Sequence, residues 1–166
     1  MIQAVQNNNF KAYLSLEDSR LNNTAPTSQI RHLFKFTNDM DKAVFYAYPL
    51  NETPYGERYT ECPFVYNATP NMFAGELNLK PAGYFKYEVY EVWWGIDEVG
   101  GGYCTPTLND VYAPSTERDT LGINCGGLVM GLVAIGKLYL GETSGSEEVQ
   151  YLEHPEPTGT NYIYTS

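Results

Sequence analysis

Hydrophobic and polar residues alternate with a period of two along much of the chain. One alternating run covers residues 10–16 and another covers residues 30–36, with a polar stretch at 17–28 between them. Successive side chains of an extended strand point to opposite faces, so this period is typical of a strand with one buried face. The two runs therefore predict two strands, and the polar stretch, which contains Pro26, predicts a loop.

A turn sequence follows the second run. Residues 37–42 include Asn38 and Asp39, and an apolar run at 43–48 comes directly after them. The side chains of Asn and Asp close turns by hydrogen bonding to their own backbone. Two apolar runs around such a turn predict a β-hairpin.

Two later segments predict further strands. Residues 57–67 alternate again, and Pro63 within them predicts an edge strand or a bulge, because proline lacks the N–H that a central strand donates. Residues 75–92 predict a strand, a tight corner and a long strand. The alternation in the long strand changes phase near Val89, which predicts a β-bulge there.

The alternation is lost over residues 95–127. This stretch contains several residues that interrupt regular structure, namely Gly95, Gly100, Gly101, Gly102, Pro106 and Pro114. It predicts a long loop insertion, and loops of this length in compact domains are usually functional or disordered. Strands resume at residues 128–134, 137–140 and 148–152.

The number of strands sets the expected fold. About nine short strands in one domain, with at most one helical turn near Asn109, predict an all-β protein. We expect an immunoglobulin-like antiparallel β-sandwich over residues 1–154, interrupted by the insertion at 95–127. Residues 155–166, which begin with the stiff sequence Pro-Glu-Pro, then form a C-terminal strand or arm.

The C-terminal arm has a pattern of its own. Tyr162 and Tyr164 share one face of the short strand, and Ile163 lies on the other. A strand this short is not stable alone, so it must pair with a sheet edge of its own domain or of a neighbouring subunit. These three residues, together with Trp93 and Trp94, are the predicted interface.

Charge is distributed unevenly along the 166 residues. The net charge is −10, but residues 1–83 carry eight acids and seven bases, whereas residues 84–166 carry twelve acids and three bases. Phosphate backbones and anionic membranes repel such a surface, so we expect neither nucleic acid nor membrane as a partner. The acidic half serves either solubility or the recognition of a basic partner.

Residues that could carry chemistry are few. Cys62, Cys104 and Cys125 are odd in number and widely spaced, which fits neither a disulfide framework nor a CxxC metal site. A reducing cytoplasm during folding is the expected compartment, and the N-terminus lacks the features of a signal peptide. His32 lies on a predicted strand and His154 in an acidic loop, and no nucleophile motif accompanies either of them.

Acidic pairs do not predict a catalytic or metal site. Glu88 and Glu91 are three residues apart on a strand, so they face opposite sides and cannot flank one substrate bond. Asp39 and Asp41 share a turn, but the EF-hand pattern for calcium is absent. We therefore expect no catalytic residues, no cofactor and no metal.

Two classes of function remain from the residues alone. A structural assembly protein would use its termini and sheet edges to pair with neighbours. A glycan-binding β-sandwich module would need an exposed aromatic platform flanked by polar groups, and Trp93, Trp94 and Tyr103 are the candidates for it.

Residues 77–90, with the sequence LNLKPAGYFKYEVY, resemble the E–F corner of immunoglobulin and fibronectin-type domains. Those domains run leucine, proline, glycine and tyrosine into alternating apolar residues, and a corner tyrosine bonds back to the backbone. The resemblance implies that Tyr84 or Tyr87 takes the corner role.

The wider pattern is similar to small virion proteins of tailed bacteriophages, especially podoviruses of the crAss-like and marine kinds. The matching pieces occur in order: LFKFTND at 33–39, ERY at 57–59, GEL at 75–77, GYFKYEVYE at 83–91 and IGKLYL at 135–140. The resemblance runs from about residue 30 to 164 and leaves the insertion at 95–127 unmatched.

This resemblance implies a non-enzymatic auxiliary or decoration protein of the capsid, with a neck or tail component as the alternative. The implied partners are the major capsid protein or other virion proteins, and a homo-oligomer is a further expectation. The implied location is the virion, after synthesis in the bacterial host cytoplasm. No catalytic residues carry over, because such a family has none to give.

Overall fold

The computed structural model describes residues 1–55, 58–94, 120–121 and 127–143. Almost all regular structure in these residues is strand. The strands are β1 Ile2–Val5, β2 Phe10–Leu14, β3 Ile30–Asn38, β4 Val44–Ala47, β5 Thr53–Tyr55, β6 Tyr59–Tyr66, β7 Glu76–Leu77, β8 Gly83–Trp94, β9 Thr120–Leu121 and β10 Gly127–Gly141. Helical structure in the same residues is confined to single 3-10 turns at Glu17–Ser19, Thr27–Gln29 and Met72–Ala74. The expectation of an all-β protein is confirmed.

The strands form two sheets. The larger sheet has the order β1-β10-β8-β3-β4, with β9 also paired to β10, and the smaller has the order β2-β6-β5, with β7 also paired to β6. Most pairings are antiparallel, but β1 runs parallel to β10 and β7 runs parallel to β6. The purely antiparallel arrangement that we expected is therefore modified at these two strands.

Phenylalanines from both sheets meet in the core between them. Phe64 on β6 lies with its ring centroid 5.0 Å from that of Phe34 and 5.7 Å from that of Phe36, both on β3. Phe10 on β2 stacks on Phe64 at 5.1 Å. Burying one such ring stabilises the folded state by roughly 1.5–3 kcal/mol, so this cluster joins the two layers.

The hairpin of β3 and β4 is confirmed, and its turn is closed by the side chains expected to close it. The Asn38 Oδ1 atom accepts hydrogen bonds from the backbone N–H groups of Met40 at 2.7 Å and Asp41 at 3.3 Å. The Asp41 carboxylate accepts one from the N–H of Ala43 at 2.9 Å. Local turn chemistry thus fixes the register of this hairpin.

Strand β6 is not an edge strand, and the prediction from Pro63 was wrong. β6 lies between β2 on one side and β5 and β7 on the other, and its register with β2 continues unshifted through Pro63. The Pro63 carbonyl accepts the N–H of Leu50 at 3.0 Å, so its backbone faces the gap between β5 and β7. No ladder bond is lost there, because neither strand reaches opposite the proline nitrogen.

The irregularity predicted near Val89 occurs in the partner strand β10, opposite Tyr90 and Val89, and not in β8. The register of β8 with β3 is continuous, whereas the register of β8 with β10 shifts after Val129 and again after Leu132. The extra residues therefore belong to β10, which is one long strand instead of the two predicted at 128–134 and 137–140. The apparent phase change in β8 arose because Tyr90 and Val92 lie on the outer face, where they join a second apolar cluster, while Glu91 is buried on the inner face.

The corner before β8 is held by an asparagine. Asn38 is fully buried and donates from Nδ2 to the Pro81 carbonyl at 3.3 Å, while the Asp39 N–H donates to the Tyr84 carbonyl at 2.9 Å. Tyr84 is 53 % exposed, and Tyr87 is buried at 6 % exposure. Among the described residues neither tyrosine hydroxyl makes a hydrogen bond to the backbone.

Strand β1 was not predicted from the sequence, although Ile2 and Ala4 alternate with exposed neighbours and join the core.

Other predictions concern segments that the structure describes only in part. Within the predicted insertion, β9 pairs with the start of β10 at residues 127–128. The rest of the insertion, the predicted strand at 148–152 and the arm at 155–166 lie outside the described residues.

Candidate functional site

The outer face of the larger sheet is covered at one end and open at the other. At the covered end, Leu33, Val92 and Val129 pack with Tyr48, whose ring stacks on that of Phe73 at 5.6 Å. At the open end, facing positions of β8 and β10 carry outward side chains: Tyr84 with Tyr139, Lys86 with Lys137, and Glu88 with Ile135. We call these six residues the Tyr84–Tyr139 face.

Large apolar side chains are exposed on the Tyr84–Tyr139 face. The rings of Tyr84 and Tyr139 lie 5.1 Å apart at 52°, and they are 53 % and 42 % exposed. Ile135 on the same face is 57 % exposed. Two tyrosines that pack against each other across a strand pair form a rigid, amphipathic contact surface. Their side chains lose little rotamer entropy when a partner binds, because they are already ordered.

Ion-paired lysines lie on the same side of the sheet as these rings. The Glu88 carboxylate binds Lys86 at 2.9 Å and Lys35 at 3.2 Å, and Lys137 binds Asp39 at 2.5 Å. Partial burial would raise the pKa of Glu88, but the hydrogen bonds from both lysines outweigh it and hold that pKa below its ordinary value. Burial likewise opposes the charge of Lys35, yet its bond to Glu88 raises the Lys35 pKa overall.

The acidic surplus of the chain lies outside the described residues. Those residues contain nine Lys and Arg and ten Asp and Glu, whereas the rest of the chain contains one base and ten acids. The two sheets are therefore nearly neutral, and the strong negative charge belongs to residues 95–119 and 144–166 in the main. A lysine-bearing face and acidic segments thus occur in the same chain.

A cavity of about 380 Å³ opens at one end of the two sheets, where the segment after β2 meets β3 and β5. It lies near the lower limit for small-molecule sites. Its lining is mixed in polarity: Leu16, Glu17, Arg20, Thr27, Ile30, Arg31, His32, Leu50, Asn51, Glu52, Pro54 and Thr60. His32 in this lining is the one histidine among the residues that the structure describes.

His32 is held by a carboxylate, and the described residues place no hydrogen-bonding nucleophile at its other ring nitrogen. Its Nδ1 lies 2.7 Å from Glu52 Oε2, and its backbone N–H donates to Glu52 Oε1 at 2.9 Å. The Nε2 atom is buried and has no hydrogen-bond partner among the described residues. A base in a triad needs a nucleophile within hydrogen-bond reach of that nitrogen, so this pair supports positioning of β3 more directly than catalysis.

Glu91 organises the loop after β2. Its carboxylate is fully buried and accepts the backbone N–H groups of Leu21 and Asn22, each at 2.8 Å. Glu88 points to the outer face, so the prediction that the two glutamates face opposite sides is confirmed. A buried carboxylate is tolerated when donors such as these satisfy both oxygens.

The predicted interface residues are only partly described. The Trp93 indole is partly buried and donates from Nε1 to Gln29 Oε1 at 2.9 Å, which ties it to the loop before β3. For Trp94 the structure describes the backbone within β8 alone. Tyr103 and the arm residues Tyr162, Ile163 and Tyr164 lie outside the described residues.

The described residues include no metal-binding cluster and one thiol. Within the described ranges no three His, Cys, Asp or Glu side chains form a group that could hold a metal ion. Cys62 is a buried free thiol, and burial raises its pKa well above the ordinary value. Cys104 and Cys125 lie outside the described residues.

No helix in the described part of the chain is long and apolar enough to cross a membrane.

The Tyr84–Tyr139 face was not predicted from the sequence, although the alternation of β8 was. The missing information was the register that places Tyr139 opposite Tyr84. No family model, curated protein or solved structure matches the chain. The function is therefore inferred from the geometry of the described residues.

Proposed function

We propose that this chain is a non-enzymatic structural protein of a phage virion, an immunoglobulin-like sandwich that binds the capsid lattice as an auxiliary or decoration protein. The single observation that carries the proposal is the Tyr84–Tyr139 face, an exposed aromatic patch on a rigid sheet. Exposed apolar patches with a polar rim are typical of protein interaction sites.

The composition of this face suits contact with another protein. Tyrosine is enriched at interfaces because its ring contributes apolar area while its hydroxyl remains hydrogen bonded to water or to the partner. Ile135 adds an aliphatic contact, and Lys86 and Lys137 form a charged rim. The acidic residues at 95–119 and 144–166 then offer a second contact, with a basic neighbour in the lattice.

The two contacts respond differently to salt. Charge–charge attraction between exposed groups is screened within about 8–10 Å at physiological ionic strength, so the acidic contact weakens as salt rises. The aromatic contact rests on apolar burial and persists. Partial loss of capsid binding between 0.05 and 0.5 M salt, roughly, is the expected behaviour.

A binding assay with capsid particles that lack this protein tests the proposal. The variant Tyr84→Ser/Tyr139→Ser removes both rings from the proposed contact. Tyr13 and Tyr59 offer a matched control, because they form an exposed pair with centroids 5.7 Å apart on the smaller sheet and the same exposures of 53 % and 42 %. We expect the first double variant to bind at least about tenfold more weakly, a loss of about 1.4 kcal/mol.

The control double variant Tyr13→Ser/Tyr59→Ser is expected to bind like the parent. Equal loss in both variants would assign the effect to stability, and no loss in either would exclude the Tyr84–Tyr139 face as the contact. Binding to isolated necks or tails in place of capsids would favour the alternative location in the virion. If the protein binds glycans but binds neither capsids nor necks or tails, the result would favour the glycan-binding module.

A further inference from the structure

The cavity at the end of the two sheets is lined by a buried polar side chain from each of them. His32 on β3 has the same parity as Phe34, which packs in the core between the sheets, so the His32 ring also faces inward. Thr60 on β6 stands in the same relation to Phe64. Both line the cavity of about 380 Å³, and they are only 8 % and 4 % exposed. The aromatic core therefore gives way to hydrogen-bonding groups at this end.

One nitrogen of the His32 ring is buried without a partner among the described residues, namely Nε2. The Glu52 carboxylate lies 2.7 Å from the other nitrogen, Nδ1. Because a carboxylate accepts, Nδ1 carries the hydrogen, and Nε2 of the neutral ring keeps a lone pair. Buried polar atoms are paired in most folded proteins, so a hydrogen-bond donor on a bound molecule would satisfy Nε2.

The charged groups in the described lining cancel. Glu17 and Glu52 carry two negative charges, and Arg20 and Arg31 carry two positive ones. One acid and one base are already close, since Arg31 Nε lies 4.0 Å from Glu52 Oε1. A ligand with a net charge of either sign gains no surplus attraction from such a lining, so the charges favour a neutral ligand.

The same lining keeps hydrogen-bonding capacity of both kinds. A guanidinium group has five N–H donors. Arg20 donates to the carbonyls of Asn22 and Ala25, and Arg31 donates to the carbonyl of Pro49, so each guanidinium has further N–H groups to offer. The carboxylates and the imidazole supply acceptors. A hydroxyl group both donates and accepts without a charge, so a molecule with several hydroxyls suits this lining.

Hydrogen bonds fix the wall that the segment after β2 contributes. The buried Glu91 carboxylate accepts the N–H groups of Leu21 and Asn22, each at 2.8 Å. Arg20 Nε donates to the Asn22 carbonyl at 2.8 Å from within the same segment. A wall that is ordered before binding lowers the entropic cost of binding a small ligand.

The volume and the apolar lining set the size of the ligand. At about 30 Å³ for each water molecule, the cavity corresponds to about a dozen waters, which is close to the number of non-hydrogen atoms in a hexose. Leu16 and Ile30 are buried in the lining and offer apolar contact to the C–H groups of a sugar ring. The described lining contains no Trp, Tyr or Phe, so it differs from the aromatic platform of a glycan-binding module.

We propose that this cavity binds a neutral monosaccharide. One ligand hydroxyl donates to His32 Nε2, and others bond to the Thr60 hydroxyl and to the remaining N–H groups of Arg20. Glu52 holds the imidazole in the tautomer that accepts. This binding does not depend on the virion role, because the Tyr84–Tyr139 face lies on the outer side of the larger sheet and the cavity lies between the sheets.

A nuclear magnetic resonance titration of the full chain tests this site. The probes are D-glucose, D-galactose and D-mannose, each with its amino-sugar and uronate forms as charged controls. The readout is the ¹⁵N shift of the His32 ring, and the chain's other histidine, His154, is the internal reference. We expect at least one neutral hexose to shift His32 Nε2 saturably, with a Kd of about 1–10 mM, and its charged forms to bind no more tightly.

Three variants locate the binding. Thr60→Val removes a hydroxyl at nearly constant volume and should weaken binding about threefold to tenfold. Asn51→Trp places a large ring at an exposed position of the lining and should abolish binding. Thr69→Trp is the matched control at an exposed position outside the lining, and it should bind the hexose like the parent.

Three results would overturn the inference. The first is the lack of a saturable shift at His32 with any of the three hexoses up to about 100 mM. The second is binding of a charged form at least about tenfold tighter than its neutral hexose. The third is a shift that persists unchanged in Asn51→Trp. Capsid binding by Asn51→Trp should equal that of the parent, so failure of the Tyr84–Tyr139 face in the capsid assay would leave the sugar site standing.

Discussion

At the scale of single residues, Glu91 is the clearest case of a polar side chain with a structural task. Its carboxylate has no exposure and accepts two backbone N–H groups from a loop seventy residues earlier in the chain. That loop has no regular strand of its own between β2 and β3. Glu91 therefore fixes the loop through charge-assisted hydrogen bonds instead of apolar packing.

The substitution Glu91→Gln tests this task. The glutamine side chain has one oxygen and one NH₂ group, so only one of the N–H groups of Leu21 and Asn22 keeps an acceptor. The other N–H then faces a second donor. We expect a loss of roughly 1–3 kcal/mol in the free energy of unfolding, measured by chemical denaturation. Glu88→Gln is the matched control on the same strand and should cost about 0–1 kcal/mol. Equal losses in the two variants would contradict the role given to Glu91.

The outer-face glutamate has a pH signature. The pKa of Glu88 is lowered below 4.5 in the folded state, so its stabilising contribution is fully present above about pH 4.5. The contribution is lost as pH falls through the lower, folded pKa. We expect the stability difference between the parent and Glu88→Gln to shrink as pH falls from 6 to about 2. A difference independent of pH would show that the lysine pair does not stabilise the carboxylate.

Two neighbouring tyrosines of the corner segment should behave differently. Tyr87→Ala removes a ring that is 6 % exposed, and we expect a loss of roughly 3–5 kcal/mol. Tyr84→Ala removes an exposed ring and should cost about 1 kcal/mol or less. Tyr87→Phe should be within about 0.5 kcal/mol of the parent, because the hydroxyl makes no hydrogen bond to backbone in the described residues. A large loss of unfolding free energy in Tyr87→Phe would contradict this expectation and would indicate that the Tyr87 hydroxyl makes the corner hydrogen bond implied by the resemblance.

At the scale of strands, the contact between β8 and β10 depends on a glycine. A Cβ atom at Gly136 would lie 2.5 Å from the Tyr87 hydroxyl oxygen and 2.7 Å from the ring carbon that bears it. Gly136 and Tyr87 are also register partners. The absence of a side chain at Gly136 thus allows the buried tyrosine to lie across β10.

A double-mutant cycle tests this contact. We expect Gly136→Ala to cost roughly 1–3 kcal/mol through overpacking. In a Tyr87→Leu background the same change should cost less, because the shorter side chain leaves room. Gly141→Ala is the control on the same strand, since the nearest atom there is 3.7 Å away. Additive losses for Gly136→Ala and Tyr87→Leu would show that the register is misassigned.

Strand-level prediction from the sequence succeeded where the signal was local. The β3–β4 hairpin was predicted from two apolar runs around an Asn-Asp turn, and the caps that Asn38 and Asp41 form there involve adjacent residues alone. The edge assignment of Pro63 failed because two different strands share one side of β6, an arrangement that alternation cannot reveal. The bulge was assigned to β8 instead of β10 because apolar residues occupy both faces of β8, where Tyr90 and Val92 join the outer-face cluster.

The candidate site was predicted less well than the fold. The outward positions of Tyr84 and Tyr139 follow from alternation, but their contact depends on the pairing of β8 with β10. Strand register between distant segments is set by the complete core, so a single sequence does not specify it by periodicity alone. Strand β1 was missed because only two of its four residues are apolar and buried.

At the scale of the whole molecule, structure and charge are separated along the chain. The two sheets are nearly neutral, and the acidic surplus lies in the segments outside the described residues. A neutral body with acidic segments can join a neighbour by apolar contact and by charge at different places. This separation is consistent with a protein whose task is to connect other proteins.

Electron cryo-microscopy of the purified particle tests the central claim most directly. We expect density for the two-sheet body at repeated sites on the capsid lattice, with the Tyr84–Tyr139 face buried against a neighbouring virion protein. Density at the neck or tail would keep the virion role and move its location. Particles that lack the chain altogether, confirmed by mass spectrometry of their proteins, would contradict the account.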